Sequence, residues 1–231
     1  MKYLTPVALS ILTFSLGACG QAPQRDSPEN QAATTNTVAS AKSGPSERLL
    51  AAAEPFEKLT EIAFTAPLPE IDKTIADARS AAASVRFLLS GGATSADKLF
   101  LDIDRARKAS DRAGLALASI EIYRGIVSSV PSGTKVPPAV SLLDYAGFRY
   151  QANLKAVPVR WKDMSEAMVY ARSQWSEVAP KLNNDPLAAT FEKALVNMEK
   201  AAASKDAALA ESSATEELNL VDKLEVYFAG A

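Results

Sequence analysis

The sequence predicts an all-α protein in which an antiparallel helical bundle follows a disordered segment. From residue 46 onward, apolar residues recur every three or four positions, which is the period of an amphipathic helix. Proline, glycine and asparagine interrupt this pattern at intervals typical of helix connections. No segment alternates apolar and polar residues between hairpin turns, so we expect no sheet. These patterns predict a bundle of about six or seven helices.

The first half of the bundle contains one ambiguous boundary. We expect Ser46 to cap the first helix, Pro55 to bend or restart it, and Gly91-Gly92 to end the second helix. The next periodic stretch runs from Ser95 to Val127. It is either one helix roughly 50 Å long at 1.5 Å per residue, or two helices with Ser110-Asp111 capping the second.

The second half is punctuated more clearly. Residues 130–138 contain three prolines and a glycine, which predicts a loop. In the stretch 183–186, Asp185 should cap a helix and Pro186 should occupy its first turn. Segments 108–119 and 202–213 both read as an Ala-Ser-Asp junction before an alanine-rich helix. An internal repeat is one interpretation of this likeness, and shared composition is the other.

The N-terminus carries the clearest motif. Lys2 precedes a short apolar run that ends in Leu16-Gly17-Ala18-Cys19, and Cys19 is the only cysteine of the chain. A single basic residue, a short apolar core and small residues at its end are typical of a secretory signal. The run is too short to span a bilayer, which needs about 20 apolar residues. With its cysteine, the motif resembles the lipobox of bacterial lipoproteins.

This resemblance implies that residues 1–18 are a signal peptide and that Cys19 becomes the lipidated first residue of the mature protein. Acyl chains on Cys19 would hold the protein on the cell membrane or outer membrane, with its domain in the periplasm. Glycine at position 20, where aspartate tends to retain such proteins at the inner membrane, favours the outer membrane. The alternative is a plain secretory signal with a chance cysteine.

Residues 19–45 should form a flexible linker, because they contain almost no large apolar residue with which to build a core. The bundle is expected over residues 46–231. As a random coil, the linker would span roughly 30 Å, which lifts the bundle clear of the lipid headgroups.

Composition excludes several classes of function. The chain has no histidine, so Ser-His-Asp and Cys-His catalysis are excluded, as are zinc and copper sites built on imidazole or thiolate. The net charge of −2 gives no basic surface for a nucleic acid. We therefore expect no metal, no cofactor and no nucleic-acid partner. Carboxylate chemistry, Lys or Tyr chemistry, or binding without chemistry remain.

Charged and aromatic residues concentrate in the middle of the chain. We expect Arg124 to face inward, and Asp144 and Tyr145 to lie beside apolar positions. A buried charge must be paired or must bind something charged. One interpretation is an aromatic-walled pocket in which arginine anchors an anionic or polar ligand, and the other is a set of internal ion pairs such as Arg124 with Asp144. The candidate ligand-binding residues are Arg124, Asp144, Tyr145, Arg149, Tyr150, Trp161 and Trp175.

The sequence leaves three functions open. The first is a non-catalytic, lipid-anchored envelope module that binds a partner protein or acts as an accessory. The second is a periplasmic carrier of a small molecule that uses the central Arg and aromatic cluster. The third is a carboxylate-based hydrolase or lyase, and no pair of carboxylates in the sequence supports it.

Overall fold

The structure, a computed structural model, describes residues 44–88 and 93–230. The predicted signal peptide, Cys19 and the predicted linker up to residue 43 lie outside these residues. Every regular element described is helical, which confirms the all-α prediction. The helices are α1 (Pro45–Ile62), α2 (Leu68–Val85), α3 (Ala93–Lys108), α4 (Arg112–Val127), α5 (Pro138–Leu154), α6 (Trp161–Val178), α7 (Asp185–Ser204) and α8 (Ala207–Gly230).

The described ranges contain eight helices, more than the six or seven expected, and the break at Ser110-Asp111 accounts for one of them. Ser110 adopts a left-handed conformation with φ 56°, which ends α3. The Asp111 side chain then accepts a hydrogen bond of 2.8 Å from the Gly114 N–H and caps α4. Of the two interpretations of residues 95–127, the pair of shorter helices is confirmed.

Three predicted boundaries were wrong by a residue or more. The first helix begins at Pro45 after Gly44, because proline suits a first helical position whose N–H has no partner, and Pro55 lies inside this continuous helix. The second helix ends at Val85 and tightens into a 3-10 turn, ahead of the predicted stop. Asn184, and not Asp185, caps α7 by accepting a hydrogen bond of 3.1 Å from the Leu187 N–H.

Three helix pairs recur in both halves of the bundle, and a fourth in the second half, α6 on α7, has no comparable counterpart between α2 and α3. In the first half, α1 packs on α2 and α4, and α3 packs on α4. In the second half, α5 packs on α6 and α8, and α7 packs on α8. The halves meet where α4 packs against α5. The chain is therefore built as two four-helix units of the same topology.

The residues at matching positions support an internal duplication. Pro45 and Pro138, which are 93 residues apart, both open a helix at its first position. The six buried residues of α2 all have buried counterparts 93 residues later in α6, from Ile71 and Met164 to Val85 and Val178. Both helices end directly in a three-residue 3-10 turn.

The last two helices of each unit match with an offset of 95 residues. Lys205 repeats the left-handed conformation of Ser110 with the same φ of 56°. Asp206 repeats the cap of Asp111, since its carboxylate accepts a hydrogen bond of 3.0 Å from the Leu209 N–H. The likeness of segments 108–119 and 202–213 thus reflects equivalent positions in the fold.

An ion pair between the second and third helices also recurs. Arg79 on α2 binds Asp104 on α3 at 2.6 Å. At the matching positions, Arg172 on α6 binds Glu199 on α7 at 2.7 Å. Two equivalent cross-helix contacts at equivalent places are hard to explain by composition alone, so we favour the internal repeat over that explanation.

Small residues let the helices of the core approach closely. Alanine is the commonest buried residue, and the few large side chains, such as Phe56, Tyr150 and Phe191, fill the wider spaces. None of the described helices has the length and the apolar character that a membrane span needs.

The closest approach of α5 and α8 occurs at Gly147. A Cβ atom there would touch the Glu217 carboxylate and lie 2.7 Å from Leu218 Cδ2. Glycine at this position therefore lets a second helix reach the backbone of α5, as the sequence suggested, and the side chain that uses this space is the carboxylic acid of Glu217.

We predict that Gly147→Ala destabilises the protein by about 1–3 kcal/mol, because the added methyl group overpacks the contact with α8. Gly125→Ala is the matched control, since Gly125 also lies inside a helix but a Cβ there would meet nothing within 4 Å. The control should be neutral or more stable by about 0.4–1 kcal/mol. Urea denaturation of both variants measures the difference, and equal midpoints would contradict this account of the α5–α8 contact.

Candidate functional site

A cleft with a volume of about 440 Å³ opens between α1 and α8, and we call it the carboxyl cleft. Helix α4, the connection that follows it and the start of α5 form the rest of its wall. Most of the lining is aliphatic, and three glutamates contribute its charge. The lining residues are Leu50, Ala53, Glu54, Glu57, Tyr123, Val127, Val130, Thr134, Val136, Pro138, Ser141, Glu225, Val226 and Ala229.

A row of three carboxyl groups, the carboxyl row, leads from this cleft into the core. Glu57 lines the cleft and is half-buried, and its side chain is hydrogen-bonded to that of Asp144. Asp144 is only 6% exposed, and it lies close enough to Glu217 for a charge on Glu217 to raise the pKa of Asp144. Glu217 is fully buried, and neither of its carboxylate oxygens has a hydrogen-bond partner. Burial therefore increases along the row while the number of partners falls.

Burial raises the pKa of every group in the carboxyl row. Desolvation raises the pKa of Glu57 to about 7, and the charges of nearby glutamates add to this shift. Desolvation raises the pKa values of Asp144 and Glu217 well above their ordinary range. Burial therefore favours the protonated forms of Asp144 and Glu217, and the hydrogen bond between Asp144 and Glu57 needs a proton on one of the two groups.

Other polar groups of the cleft follow the same trend. Burial raises the pKa of Glu225, and Ser141 Oγ donates a hydrogen bond of 3.4 Å to its Oε1. Burial, followed by the neighbouring carboxylate charges, raises the pKa of the Tyr123 hydroxyl. Tyr123 and Ser141 are thus neutral hydrogen-bond donors beside the acids of the cleft. No lysine or arginine is among the residues that line the cleft.

The other unit of the bundle has no acids at the matching positions. The counterpart of Glu57 in the other unit is Tyr150, 93 residues later, and that of Asp144 is Ala51, 93 residues earlier. The counterparts on α4 and the connection after it lie 95 residues before the acids of α8. They are Ile122 for Glu217, Val127 for Asp222 and Val130 for Glu225.

The two matching interfaces also differ in how closely their helices pack. At the matching interface, α4 packs directly against α5, whereas α1 and α8 make no comparable contact. The first interface is closed, and the carboxyl cleft lies at the second. The acidic residues and the opening therefore occur together on one side of an otherwise repeated structure.

The residues proposed from the sequence lie mostly at another place. Arg124, Tyr145 and Arg149 converge on Glu121, and we call these four residues the Glu121 cluster. Arg124 Nε donates to Glu121 Oε2 at 3.0 Å, and the Tyr145 hydroxyl donates to Oε1 at 2.6 Å. Arg149 Nε lies 3.9 Å from Oε1, and its Nη2 lies 3.6 Å from Glu166. Both guanidinium groups thus have carboxylate partners within the protein.

Two details of that expectation were wrong. The Arg124 side chain is 42% exposed at the edge of the buried face of α4, so it does not face the core. Its ion-pair partner is Glu121 one turn earlier, and Asp144 belongs to the carboxyl row instead.

The remaining aromatic candidates are separate from this cluster and from each other. The Tyr150 hydroxyl donates to the Met198 carbonyl at 2.8 Å inside the core. Trp161 is half-buried at the start of α6. Trp175 stacks on Phe191 with ring centroids 4.4 Å apart. The structure therefore does not gather the proposed residues into one pocket.

Sequence reasoning missed Glu57, Glu217 and Glu225. The signal for Glu217 is its spacing, because it lies in the row of buried positions of α8, three residues after Ala214 and three before Leu220. The row predicted from the sequence used the adjacent Leu218, which is only half-buried. The sequence signal of the carboxyl row was therefore an acidic residue at a helix position where the period predicts an apolar one.

The chemistry that this site can support follows from its donors. Among residues 44–88 and 93–230, no three acidic or thiol side chains converge closely enough to hold a metal ion. The cleft offers carboxylates, neutral hydroxyls and aliphatic wall. Such a lining suits a ligand that has an apolar body and a group that carboxylates can bind.

Comparison of the chain with family models, with curated proteins and with solved structures gives no significant match in any of the three.

We predict that Glu217→Ile, which introduces the residue found at the matching position of α4, flattens the dependence of stability on pH. A carboxyl group whose pKa is raised on folding contributes stability below its unfolded pKa, and this contribution is lost as the pH rises toward the folded pKa. The wild type should therefore lose stability above pH 4.5, the ordinary pKa of glutamate. At pH 8 the variant should be more stable than the wild type by about 1–3 kcal/mol.

Glu211→Ile is the control, because Glu211 is exposed on the same helix. Denaturant midpoints between pH 4.5 and pH 8 give the comparison. If the wild type and both variants changed in parallel over this range, the assignment of a buried, protonated Glu217 would be wrong.

Proposed function

We propose that this chain is a lipid-anchored protein of the bacterial cell envelope whose helical domain binds a small molecule in the carboxyl cleft without catalysing a reaction. The observation that supports the binding function is the cleft itself, which has an aliphatic wall and acidic residues. The matching positions of the other four-helix unit carry no acids. The observation that carries the location is the motif Leu16-Gly17-Ala18-Cys19.

The proposed location rests on the lipobox resemblance and on the composition of the linker. Two or more acyl chains on Cys19 would hold the protein stably on a membrane. The polar segment 20–43 would then separate the bundle from the headgroups while keeping it near the surface. A binding domain on such a tether acts in the periplasm, close to the membrane that carries it.

The distribution of apolar residues between the cleft and the exposed surface favours the carrier function over the partner-protein module. The carboxyl cleft has the volume and mostly aliphatic lining of small-molecule sites, which span about 300–1,000 Å³. The large hydrophobic residues that are exposed lie each on a different helix or connection, and this gives little support for a protein-binding face. They are Leu68, Phe87, Leu101, Val157, Val169, Val196 and Val226.

The site differs from the carrier site expected from the sequence. In the expected site, Arg124 and Arg149 bind an anionic or polar ligand. In the structure, both arginines instead form ion pairs with Glu121. The acids of the cleft favour a ligand of different charge. A carboxylate-based hydrolase is less favoured, because Asp144 is nearly buried and the polar partners that the wall offers to a reacting group are acids and neutral hydroxyls.

Mass spectrometry of the protein purified from its membrane tests both parts of this proposal. The denatured mass of the wild type should correspond to residues 19–231 plus acyl groups, and Cys19→Ser should carry none. The native mass should exceed the denatured mass by one small molecule. Val226→Trp, at the edge of the cleft, should lose this molecule, and Val169→Trp, which changes an equally exposed valine on α6, should keep it.

Acyl groups that persist on Cys19→Ser would overturn the anchor. A native mass equal to the denatured mass in the wild type would contradict the carrier function and favour the partner-protein module. A molecule retained equally by both tryptophan variants would place the ligand outside the carboxyl cleft.

A further inference from the structure

We infer that the ligand of the carboxyl cleft is an amphipathic organic cation, an ammonium or guanidinium group attached to a small apolar body. This inference rests on the proposed carrier function and adds the chemical class of the ligand. It comes from the sign of the charges on the wall, from the uncharged residues at the positions that match these acids, and from the unpartnered carboxyl group of Glu217 at the inner end of the carboxyl row.

The wall of the cleft is charged with one sign only. Glu54, Glu57 and Glu225 are its ionisable carboxylic acids. The nearest lysine in the connection after α4 is Lys135, whose ammonium group is held at 2.6 Å by the Ala229 carbonyl. An anionic ligand would therefore meet repulsion, whereas a cation would find carboxylate acceptors at hydrogen-bonding distance of its N–H groups.

Acids in a protein interior are costly unless they have partners. Glu217 is fully buried with both oxygens unpartnered, and Asp144 beside it is only 6% exposed. Native proteins rarely leave buried polar atoms unsatisfied, and such atoms call for an explanation beyond packing. The position that matches Glu217 is Ile122, which is also buried, so packing at this place does not require an acid.

The kind of cation follows from two further observations. The carboxyl groups do not converge as a metal site within the described residues, which argues against a bare divalent ion. The aliphatic wall formed by Leu50, Val127, Val136 and Val226 gives an apolar body a surface to pack on. A ligand with a cationic head and a compact hydrocarbon body satisfies both parts of the lining.

Binding of such a cation should release a proton. When an ammonium group approaches Glu57 and Glu225, it favours their ionised forms, so a protonated Glu57 gives its proton to solvent while the ligand keeps its own. Other groups act on Glu57 as well. From α1 these are Glu54 and Glu61, from α4 Tyr123, from α5 Asp144, and from α8 Glu225. Lys58 and Asp222 act on Glu61 in opposite directions.

The test uses three probes with the same cyclohexylmethyl body and different head charges: cyclohexylmethylammonium, cyclohexylmethanol and cyclohexanecarboxylate. The full lipidated protein in phosphatidylcholine nanodiscs is titrated by isothermal calorimetry, with empty nanodiscs as the blank. The ammonium should bind one to one and at least tenfold more tightly than the alcohol, and the carboxylate should not bind. Between pH 8 and pH 6 the ammonium affinity should fall up to about tenfold as Glu57 takes up its proton.

Two isosteric variants locate the head group. Glu57→Gln and Glu225→Gln should each weaken ammonium binding about tenfold and leave alcohol binding unchanged, and circular dichroism confirms that they are folded. Glu211→Gln, on the exposed face of α8, is the control and should bind like the wild type. Ammonium binding that survives in both cleft variants would overturn the inference.

The outcomes separate this inference from the proposed function. Equal binding of alcohol and ammonium, or tighter binding of the carboxylate, would refute the cation class and leave a ligand-binding cleft in place. No binding of any probe, with a small molecule still retained in the native mass spectrum, would also refute only the class. No binding and no retained molecule would overturn both.

Discussion

A carboxyl group buried without a charged partner must carry its proton, and this constraint governs the centre of the bundle. Glu217 lies against Gly147 with no hydrogen-bond partner, and Asp144 lies one turn along the same face of α5. Their ionisation would place a bare charge in a medium that solvates it poorly. The helices α1, α5 and α8 can therefore pack around these residues only while the acids are neutral. Along the carboxyl row, the tendency of the groups to ionise increases from Glu217 toward Glu57 at the cleft.

The two repeated units of the bundle allow the acidic site to be compared with the matching place in the fold. Each unit of four helices has the same order, the same caps at Asp111 and Asp206, and the same arginine bridge between its second and third helices. Where the units meet through α4 and α5, the helices pack directly, and the polar contacts of the Glu121 cluster cross the interface. At the matching place between α8 and α1, acids replace apolar residues and a cleft remains. The acids are therefore a difference between the two units and not part of the contacts that both units share.

The sequence predicted the fold well because the features that determine it are local. Helix period and most of the proline and glycine punctuation depend on neighbouring residues, and they correspond to observed elements except at the three boundaries noted above. The break at Ser110 was left open, because a serine in a left-handed conformation has no strong sequence signature. The internal repeat was visible only as one similar junction, since most of its other matches share position and burial while few share residue type.

The site was much less predictable, because it depends on which distant residues meet. Arg124 and Asp144 were both singled out as charges near apolar positions, yet they belong to different clusters. The first is satisfied by Glu121 on its own helix, which one-turn spacing makes natural. The second meets Glu57 and Glu217, which lie 87 residues before it and 73 after it in the chain, so no local pattern joins them.

The central claim is that the two inner groups of the carboxyl row, Asp144 and Glu217, remain protonated at neutral pH. The most direct test is a carbon-13 NMR titration of the side-chain carboxyl carbons, with resonances assigned through Glu57→Gln, Asp144→Asn and Glu217→Gln. We predict that Asp144 and Glu217 are still protonated at pH 7 and that Glu57 titrates with a midpoint near 7. Complete ionisation of all three groups by pH 6 would contradict the account, because it would mean that water or a cationic side chain reaches the row.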